Sequence, residues 1–489
     1  MTIESFEPTM LLAILPEILL LVLIGFVLAL DAVWKPEQRR ALGWLTAGGL
    51  ALIMVLALAV SRPSEDPRLV WGGMLRHDWF GFAFKMLFLF GAAITALFAM
   101  DAEELGKRGE FYVLMLVSTL GMNLMASASD LIMLYLAIET TSIPLYVLSG
   151  FMRHDDHSTE AGFKYMLFGA AASAVMLYGL TLLYGFAGDT SFYSLGLAMH
   201  NAELPLLPIV GSLVLILVGF AFKISAVPLH FWAPDVYEGA PTPVAGFLST
   251  ASKAAGFAVL LRVLLSIFTP VALPSWTGLL AVVAVMTMTL GNALALFQKN
   301  IKRLLAYSSI AHAGYILIGI VAISRLAVTG VVFYLIAYLI TNLAAFGIVA
   351  TFWRVVGSDQ IADYAGMSRR KPWLAMAMLV AFLSLAGMPP LAGFVAKVFV
   401  FAAAVQADYI WLAVVGVLNS IVGLYYYLTV LKVVYLYRSE ETEGLPLPIS
   451  RPSAIALTVL TLGILLVGTL FGPWFSLAEQ VAKAVLRNY

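Results

Sequence analysis

Fourteen apolar segments, each long enough to cross a lipid bilayer, follow one another along this chain of 489 residues. A helix that crosses the ~30 Å hydrocarbon core needs roughly 20 residues. No separate soluble domain fits between the segments, and the two longest polar stretches, 61–78 and 438–451, are predicted to be loops. The pattern predicts an all-α polytopic membrane protein. The segments run approximately 10–30, 41–60, 79–100, 111–128, 130–151, 161–186, 206–228, 244–268, 274–297, 301–321, 326–353, 372–404, 408–437 and 451–475.

The composition agrees with a membrane protein and excludes several kinds of site. Of all residues, 62% are hydrophobic and 11% are charged, which is less than half of the roughly 25% charged residues of a soluble domain. The formal net charge is zero, so charge gives no reason to expect a nucleic acid or an acidic substrate. Cysteine is absent, which excludes disulfides, thiolate-bound zinc and iron–sulfur clusters held by cysteines of this chain.

Basic residues are distributed unequally between the two sides of the membrane. If the first segment enters from outside, the outer loops hold only four arginines, at 62, 68, 76 and 325. Because lysine and arginine collect in cytoplasmic loops, both termini are predicted to face outside. The fifteen basic residues of the inner loops are Lys35, Arg39, Arg40, Lys107, Arg108, Arg153, Lys299, Lys302, Arg303, Arg354, Arg369, Arg370, Lys371, Arg438 and Arg451.

A faint internal repeat appears at an offset of 170 residues, where the tripeptide Thr-Leu-Gly at 119–121 recurs at 289–291. Segments 4–8 then correspond to segments 9–13. Since five crossings are an odd number, the second unit is predicted to be inverted in the membrane, as in many transporters. This gives three N-terminal helices in 1–110, a first repeat in 111–270, a second in 271–437 and a C-terminal transmembrane helix in 438–489.

Apart from the first and last three residues of each segment, ten acidic, basic or histidine side chains fall inside the apolar segments, where each costs at least roughly 2.5–3.5 kcal/mol at a helix centre. Those nearer segment ends can reach the interface, so structural roles are predicted for Glu17, Arg262 and Lys432. The role of Lys85 is left open between structure and function. The ten are Glu17, Lys85, Glu139, Lys164, Lys223, Lys253, Arg262, His312, Lys397 and Lys432.

Four of these residues, Glu139, Lys223, Lys253 and Lys397, lie too deep to reach water from a lipid-facing position. Each must therefore face a partner or a hydrated cavity. A static buried ion pair is the alternative, but one glutamate does not balance three lysines. These residues predict a proton or ion pathway.

Two of the lysines lie beside predicted helix breaks. Lys223 comes five residues before Pro228, and Lys397 follows the Pro389–Pro390 pair. Proline removes a backbone donor and clashes with the preceding turn. Free carbonyl groups are tolerated at membrane depth only where protein or water satisfies them. Segments 7 and 12 are therefore predicted to be broken helices, and the backbone groups freed at each break are predicted to be hydrogen-bonding partners of the nearby lysine.

At these residues the sequence resembles the antiporter-like subunits of complex I and of the related multisubunit cation/proton antiporters. Together with the fourteen-helix pattern, the resemblance covers nearly the whole chain. Within the family it is greatest to N-type subunits, because M-type subunits usually have a glutamate in place of Lys397 and L-type subunits carry a long lateral C-terminal helix. The matching stretches are AIETTSIPLYVLSGF at 137–151, GFAFKISAVPLHFWAPDVYEGAPTPV at 219–244, AYSSIAHAGYILIG at 306–319 and LSLAGMPPLAGFVAKVFVF at 383–401.

The resemblance implies a role for each candidate site residue. Glu139 and Lys223 are expected to be a charge pair, with Lys164 tuning the pair. Lys253 is expected to relay protons, His312 to lie on the central hydrophilic axis between two half-channels, and Lys397 to be the terminal site. The implied activity is proton translocation driven by quinone reduction in neighbouring subunits.

The resemblance also implies partners, cofactors and a location. The expected partners are other membrane subunits of complex I, namely an M-like antiporter subunit and small K- and J-like subunits, in the inner or plasma membrane of a bacterium. NADH, FMN, iron–sulfur clusters and quinone are expected in partner subunits, with no cofactor in this chain. Two alternatives remain open at this point: a subunit of a multisubunit sodium/proton antiporter without a redox partner, and a structural membrane scaffold.

Overall fold

The computed structural model describes residues 8–201, 206–268, 273–438 and 447–486. Within these ranges, thirteen helices have at least 18 residues and are apolar enough to cross a membrane. The remaining predicted segment, 372–404, is present as two shorter apolar helices, Pro372–Ala386 and Ala392–Gln406. The prediction of an all-α polytopic membrane protein is confirmed. Residues 439–446 of the predicted loop 438–451 lie outside the described residues.

The N-terminal unit contains five helices and one short hairpin. Its two strands pair antiparallel, with Arg68 opposite His77, within a stretch predicted only to be a loop. The elements are α1 (Pro8–Ala13), α2 (Leu15–Val33), α3 (Ala41–Val60), β1 (Arg68–Val70), β2 (Leu75–His77), α4 (Trp79–Ala99) and α5 (Glu103–Gly106).

The two predicted repeats contain the remaining helices up to residue 436. The first holds α6 (Gly109–Ser127), α7 (Leu131–Ser149), α8 (Asp156–Ala187), α9 (Phe192–His200), α10 (Leu206–Ile224), α11 (Trp232–Gly239), α12 (Thr242–Phe247), a π-helix (Leu248–Ser252) and α13 (Lys253–Ile267). The second holds α14 (Leu273–Ala295), α15 (Ile301–Val321), α16 (Arg325–Val356), a 3₁₀-helix (Ile361–Tyr364), α17 (Met367–Arg370), α18 (Pro372–Ala386), α19 (Ala392–Gln406) and α20 (Ile410–Leu436). The division into four units and the inverted relation of the repeats stay predictions.

Two helices form the C-terminal part, α21 (Arg451–Thr469) and α22 (Phe471–Leu486). The sequence predicted one transmembrane helix in this unit and missed α22, because residues 471–486 are too polar to be identified as a span. One face of α22 is buried, through Ala478, Val481 and Val485, and this helix packs against α16 and α4.

The centre of the molecule is formed by the continuous run α12–π–α13 and by α15 and α16. Within their apolar stretches, 100%, 94% and 94% of the residues are buried, against 33% in α2 and α3. A helix that is apolar and buried on all sides touches protein rather than lipid. A charged side chain inside the buried stretches of these three central elements therefore faces other parts of the protein.

Both predicted helix breaks are present. α10 ends at Ile224, Ser225 has a left-handed backbone with φ 58°, and α11 starts only at Trp232. In segment 12, α18 ends at Ala386 and Gly387 adopts φ 86°. A third irregularity, the π-helix immediately before Lys253, was not predicted; such single-turn π segments are frequent at functional sites.

Candidate functional site

The five residues predicted to form the relay lie on α7, α10, α13, α15 and α19. Four of them are almost fully buried, with exposed fractions of 5% for Lys223, 2% for Lys253, 3% for His312 and 5% for Lys397, and Glu139 is partly buried. Uncompensated burial of ionisable groups is costly. Each therefore needs the polar contacts described next.

Glu139 and Lys223 line one small cavity, but each is held by a serine. Ser173 Oγ on α8 donates to Glu139 Oε1, and Lys223 Nζ donates to Ser142 Oγ at 3.0 Å. Among the described residues these two charges form no ion pair within 4.0 Å, and their expected pairing stays a prediction. The cavity measures about 20 Å³, enough for one water molecule.

Ser142, the hydrogen-bond partner of Lys223, lies close to Glu139 on the same helix. Ser142 follows Glu139 by three residues on α7, so both side chains lie on the same helix face about one turn apart. A shift of the Lys223 amine along one face of α7 would therefore replace its neutral partner, Ser142, with the carboxylate of Glu139.

Lys253 lies on α13, whose next turn packs against Lys223. A Cβ atom added at Gly256, one turn after Lys253 on α13, would lie 3.1 Å from Lys223 Cγ, so the two helices are in close contact there. Lys253 Nζ donates to Ser309 Oγ on α15 at 2.5 Å and lies 5.8 Å from the centre of the Tyr237 ring. The Lys253 amine therefore connects the first predicted repeat to the second.

His312 continues the polar line on α15, one turn after Ser309. Its Nδ1 lies 2.7 Å from the Tyr334 hydroxyl, and its Nε2 lies 3.3 Å from the Tyr427 hydroxyl. Tyr427 also shares a hydrogen bond with Ser308. A neutral imidazole donates through one nitrogen and accepts through the other, so His312 can pass a proton between its two neighbours.

Lys397 binds the end of the helix that breaks beside it. Its Nζ donates to the carbonyl oxygens of Leu385 at 3.1 Å and Ala386 at 3.0 Å, and to Ser420 Oγ at 2.7 Å. These two residues end α18, where carbonyl groups lack helical partners and carry partial negative charge. A Cβ atom at Gly387 would lie 2.9 Å from Lys397 Cδ. The break therefore supplies the hydrogen-bonding partners predicted for this lysine.

Sequence reasoning missed the hydroxyl and amide groups that join these charges. The centre of the Tyr315 ring lies 5.0 Å from the Lys397 amine. The Tyr315 hydroxyl accepts a hydrogen bond from the Asn292 side-chain amide at 2.8 Å. Asn292 also contacts Asn419 at 3.3 Å. A signal was available, because Ser142 and Ser309 stand three residues from Glu139 and His312, which is the spacing of side chains on one helix face.

Lys164 contacts a different group of charges. Its amine lies 2.7 Å from both Glu160 and Asp235, and Asp235 also binds Arg303 at 2.8 Å. Burial alone would raise the pKa of Asp235, but the hydrogen bonds from Lys164 and Arg303 outweigh it and lower that pKa. The expected tuning of the Glu139–Lys223 pair by Lys164 stays a prediction, since the ion pairs of Lys164 are with Glu160 on its own helix and with Asp235 on α11.

The buried charges near the segment ends have structural partners. Glu17 and Lys85, the second of which was left open, form an ion pair of 2.9 Å, and Lys85 also donates to the carbonyl of Ala13 at 3.2 Å. Arg262 makes two hydrogen bonds to Asp78, at 2.9 and 2.8 Å. These contacts agree with the structural roles predicted for Glu17 and Arg262.

Comparison with known proteins identifies relatives along the whole chain. The family described as NADH:quinone oxidoreductase/Mrp antiporter, transmembrane, matches residues 128–423. NADH-quinone oxidoreductase subunit N of Moorella thermoacetica is 45% identical over 447 residues, which cover 90% of this chain and 92% of the relative. Subunit N of Trichlorobacter lovleyi is 42% identical, and 99% of both chains is covered. The resemblance to N-type subunits is confirmed.

Solved structures share the fold. A chain of respiratory complex I from Thermus thermophilus has a TM-score of 0.79 at 34% identity, with 95% of this chain and 99% of that chain covered. A chain of the Mrp complex from Dietzia has a TM-score of 0.86 at 21% identity and 98% of both chains covered. The second likeness concerns the fold alone.

Proposed function

The chain belongs to the family of NADH:quinone oxidoreductase and Mrp antiporter transmembrane proteins, and we propose that it is a proton-translocating membrane subunit of an NADH:quinone oxidoreductase. One observation carries this proposal. Buried ionisable groups follow one another from α7 to α19, and hydroxyl groups bridge or bind each of them. A structural scaffold has no need of three nearly fully buried lysines without an ion-pair partner within the described residues.

The first step of the proposed mechanism is the transfer of the Lys223 amine between Ser142 and Glu139. A nearby carboxylate favours the charged form of a lysine, and burial disfavours it. At about 4 Å and an effective dielectric near 20, the attraction to Glu139 amounts to roughly 4 kcal/mol. When the amine returns to Ser142 it loses this attraction and releases its proton. The water-sized cavity between the two residues supports such an exchange.

The released proton then passes to the second repeat. Lys253 is the next base, because its helix contacts Lys223 at Gly256. From Lys253 the proton moves by way of Ser309 and bound water to His312, which is one helical turn further along α15. His312 transfers it toward Lys397, whose amine lies above the Tyr315 ring. The side of the membrane to which the proton is transferred depends on the predicted orientation of the chain, in which both termini face outside.

The energy source and the partners belong to the same proposal. NADH, FMN, iron–sulfur clusters and quinone are assigned to partner subunits, and an M-like antiporter subunit with small K- and J-like subunits forms the membrane neighbours. The relatives' name, NADH-quinone oxidoreductase subunit N, supports an assembly of several subunits that acts on NADH and quinone. In the alternative, a sodium/proton antiporter subunit, sodium-dependent proton exchange should proceed in sealed vesicles without NADH or quinone. Proton uptake that requires both substrates supports the oxidoreductase subunit.

For proton pumping, the negative charge at position 139 is expected to matter more than the shape of the side chain there. The Glu139→Gln variant should show a several-fold reduction in proton pumping, because the amide keeps the contact with Ser173 but no longer attracts Lys223. Glu139→Asp keeps the charge on a shorter side chain and should retain more activity. The measurement is NADH-driven acidification of vesicles at matched amounts of assembled complex. Equal pumping by the two variants would show that charge at 139 is irrelevant.

Position 397 is expected to need an exchangeable proton more than a positive charge. Lys397→Glu should pump better than Lys397→Ala, because a protonated carboxyl group can still donate one hydrogen bond to the carbonyls that end α18. Alanine leaves no proton carrier between His312 and the outer part of the path. Both variants are compared in the same vesicle assay at matched assembly. A glutamate variant as inactive as the alanine variant would refute this prediction.

A further inference from the structure

A cavity of about 620 Å³ lies at the membrane edge of the molecule, outside the relay. It opens beside the β1–β2 hairpin, α9 and the last turns of α13. Three arginines line it: Arg68 at the mouth, and Arg76 and Arg262 deeper inside. In the predicted orientation this is the outer side. Guanidinium groups bind phosphate and carboxylate groups, so this lining favours an anionic ligand.

The deep part of the cavity carries an unbalanced positive charge. Asp78 binds both Arg262, at 2.8 Å, and Arg76, at 3.0 Å, so one carboxylate serves two guanidinium groups. Arg262 is 1% and Arg76 7% exposed. No second carboxylate pairs with either arginine in the described part of the chain, and Arg262 Nε has no hydrogen-bond partner there. Since an uncompensated buried charge is costly, an anionic ligand would stabilise this arrangement.

Neighbouring groups do not remove this charge. Arg76 Nη2 donates to the carbonyl of Ala484 near the end of α22 at 3.0 Å, which is a dipole and not a full charge. Burial and the nearby charge of Lys85 lower the pKa of His77 to about 4, so this histidine is neutral at pH 7. The net charge of the Arg76, Asp78 and Arg262 cluster is therefore positive by one.

The other walls of the cavity are apolar. Phe192 and Leu197 of α9 and Leu265 of α13 line it, and Leu197 is also 45% exposed at the molecular surface. Arg262 precedes the end of α13 by five residues, about 7.5 Å along a helix. The guanidinium groups thus lie near the level at which lipid headgroups meet acyl chains. A ligand that fits has an anionic head and an apolar tail.

We propose that this cavity binds an anionic phospholipid, with the phosphate at Arg68, Arg76 and Arg262 and an acyl chain along Phe192 and Leu197. The phosphate supplies the negative charge that the arginine pair lacks. Basic pockets between transmembrane helices recognise anionic headgroups by this chemistry. The site is separate from the proposed proton relay.

The test is lipid binding to the purified, delipidated complex. Bound lipid is quantified by mass spectrometry after titration with phosphatidylglycerol, phosphatidylcholine or inorganic phosphate. The Arg68→Gln variant removes a guanidinium at the mouth without touching the Asp78 cluster. The Arg62→Gln variant is a matched control, because Arg62 is exposed in the same loop and does not line the cavity. We expect Arg68→Gln to bind phosphatidylglycerol about fivefold more weakly, and Arg62→Gln to bind it as the unchanged complex does.

Several results would overturn the site. Equal weakening by the two variants would mean that only general surface charge attracts lipid. Equal binding of phosphatidylcholine would mean that the arginines do not select the headgroup. Inorganic phosphate that binds as tightly as phosphatidylglycerol would identify a free-anion site without a lipid. Thermal unfolding of the delipidated Arg68→Gln complex at the same temperature as the unchanged complex shows that the fold is intact.

Discussion

Coupled proton pumping through this chain is expected to disappear when Lys223 is replaced by alanine, and quinone reduction should fall with it by at least roughly tenfold, since positioned proton-transfer groups commonly contribute more than that. Lys223 is the group that connects the cavity at Glu139 with Lys253. Alanine removes the amine bound to Ser142 and leaves Lys253 without its proton donor. Reductase activity and vesicle acidification are measured together on complexes with matched assembly.

The control for this experiment is Lys432→Ala. Lys432 also lies in an apolar helix, α20, but it is exposed and lies 5.4 Å from the Tyr437 ring near the helix end. Its removal deletes the same charge from a position outside the relay, so we expect pumping close to that of the unchanged protein. Normal pumping by Lys223→Ala, or an equal loss in both variants, would contradict the assignment of Lys223.

The largest effect on stability is expected from Asp78→Asn. This change leaves Arg76 and Arg262 buried without a counter-charge, and breaking a buried pair in this way costs about 3–5 kcal/mol. The amide still accepts hydrogen bonds but carries no charge. We expect a lower unfolding temperature of the purified chain and less of it in membranes. Asp408→Asn, an exposed site on the loop before α20, is the control and should change neither.

The pH dependence of the same cluster follows from the direction of its pKa shift. Burial alone would raise the pKa of Asp78, but the two arginines outweigh it and hold that pKa below its ordinary value. A group whose pKa is lowered by folding stabilises the folded state above its unfolded pKa of about 3.9, and this stabilisation is lost as the pH falls through the folded pKa. The Asp78 contribution should therefore be constant at neutral pH. An Asp78→Asn variant that unfolds at the wild-type temperature would refute the account of this cluster.

The sequence was sufficient to predict the number of membrane segments, because bilayer thickness fixes the length of an apolar helix. It also predicted the breaks after Lys223 and before Lys397, since proline cannot continue a helix without loss of a hydrogen bond. Deep burial of the three lysines followed from their positions far from segment ends. These are local properties, and local sequence determines them.

Partners distant in the chain could not be predicted in the same way. Arg262 meets Asp78 across 184 residues, and no periodicity links such positions. The serines that bind Lys223 and Lys253 were missed because a serine in an apolar helix often bonds only to its own backbone. The π-helix before Lys253 also had no proline signal within residues 244–253. Packing against α16 and α4 accompanies this segment, and such tertiary contacts are not visible in local sequence.

The number of protons moved per quinone reduced tests the central claim most directly. It is measured in sealed vesicles that contain the assembled complex, for the unchanged protein, Lys223→Ala and Lys432→Ala. If this chain translocates protons through the buried relay, the quinone reduction that remains in Lys223→Ala proceeds with a lower proton ratio, and Lys432→Ala keeps the full ratio. An unchanged ratio in Lys223→Ala would contradict the claim.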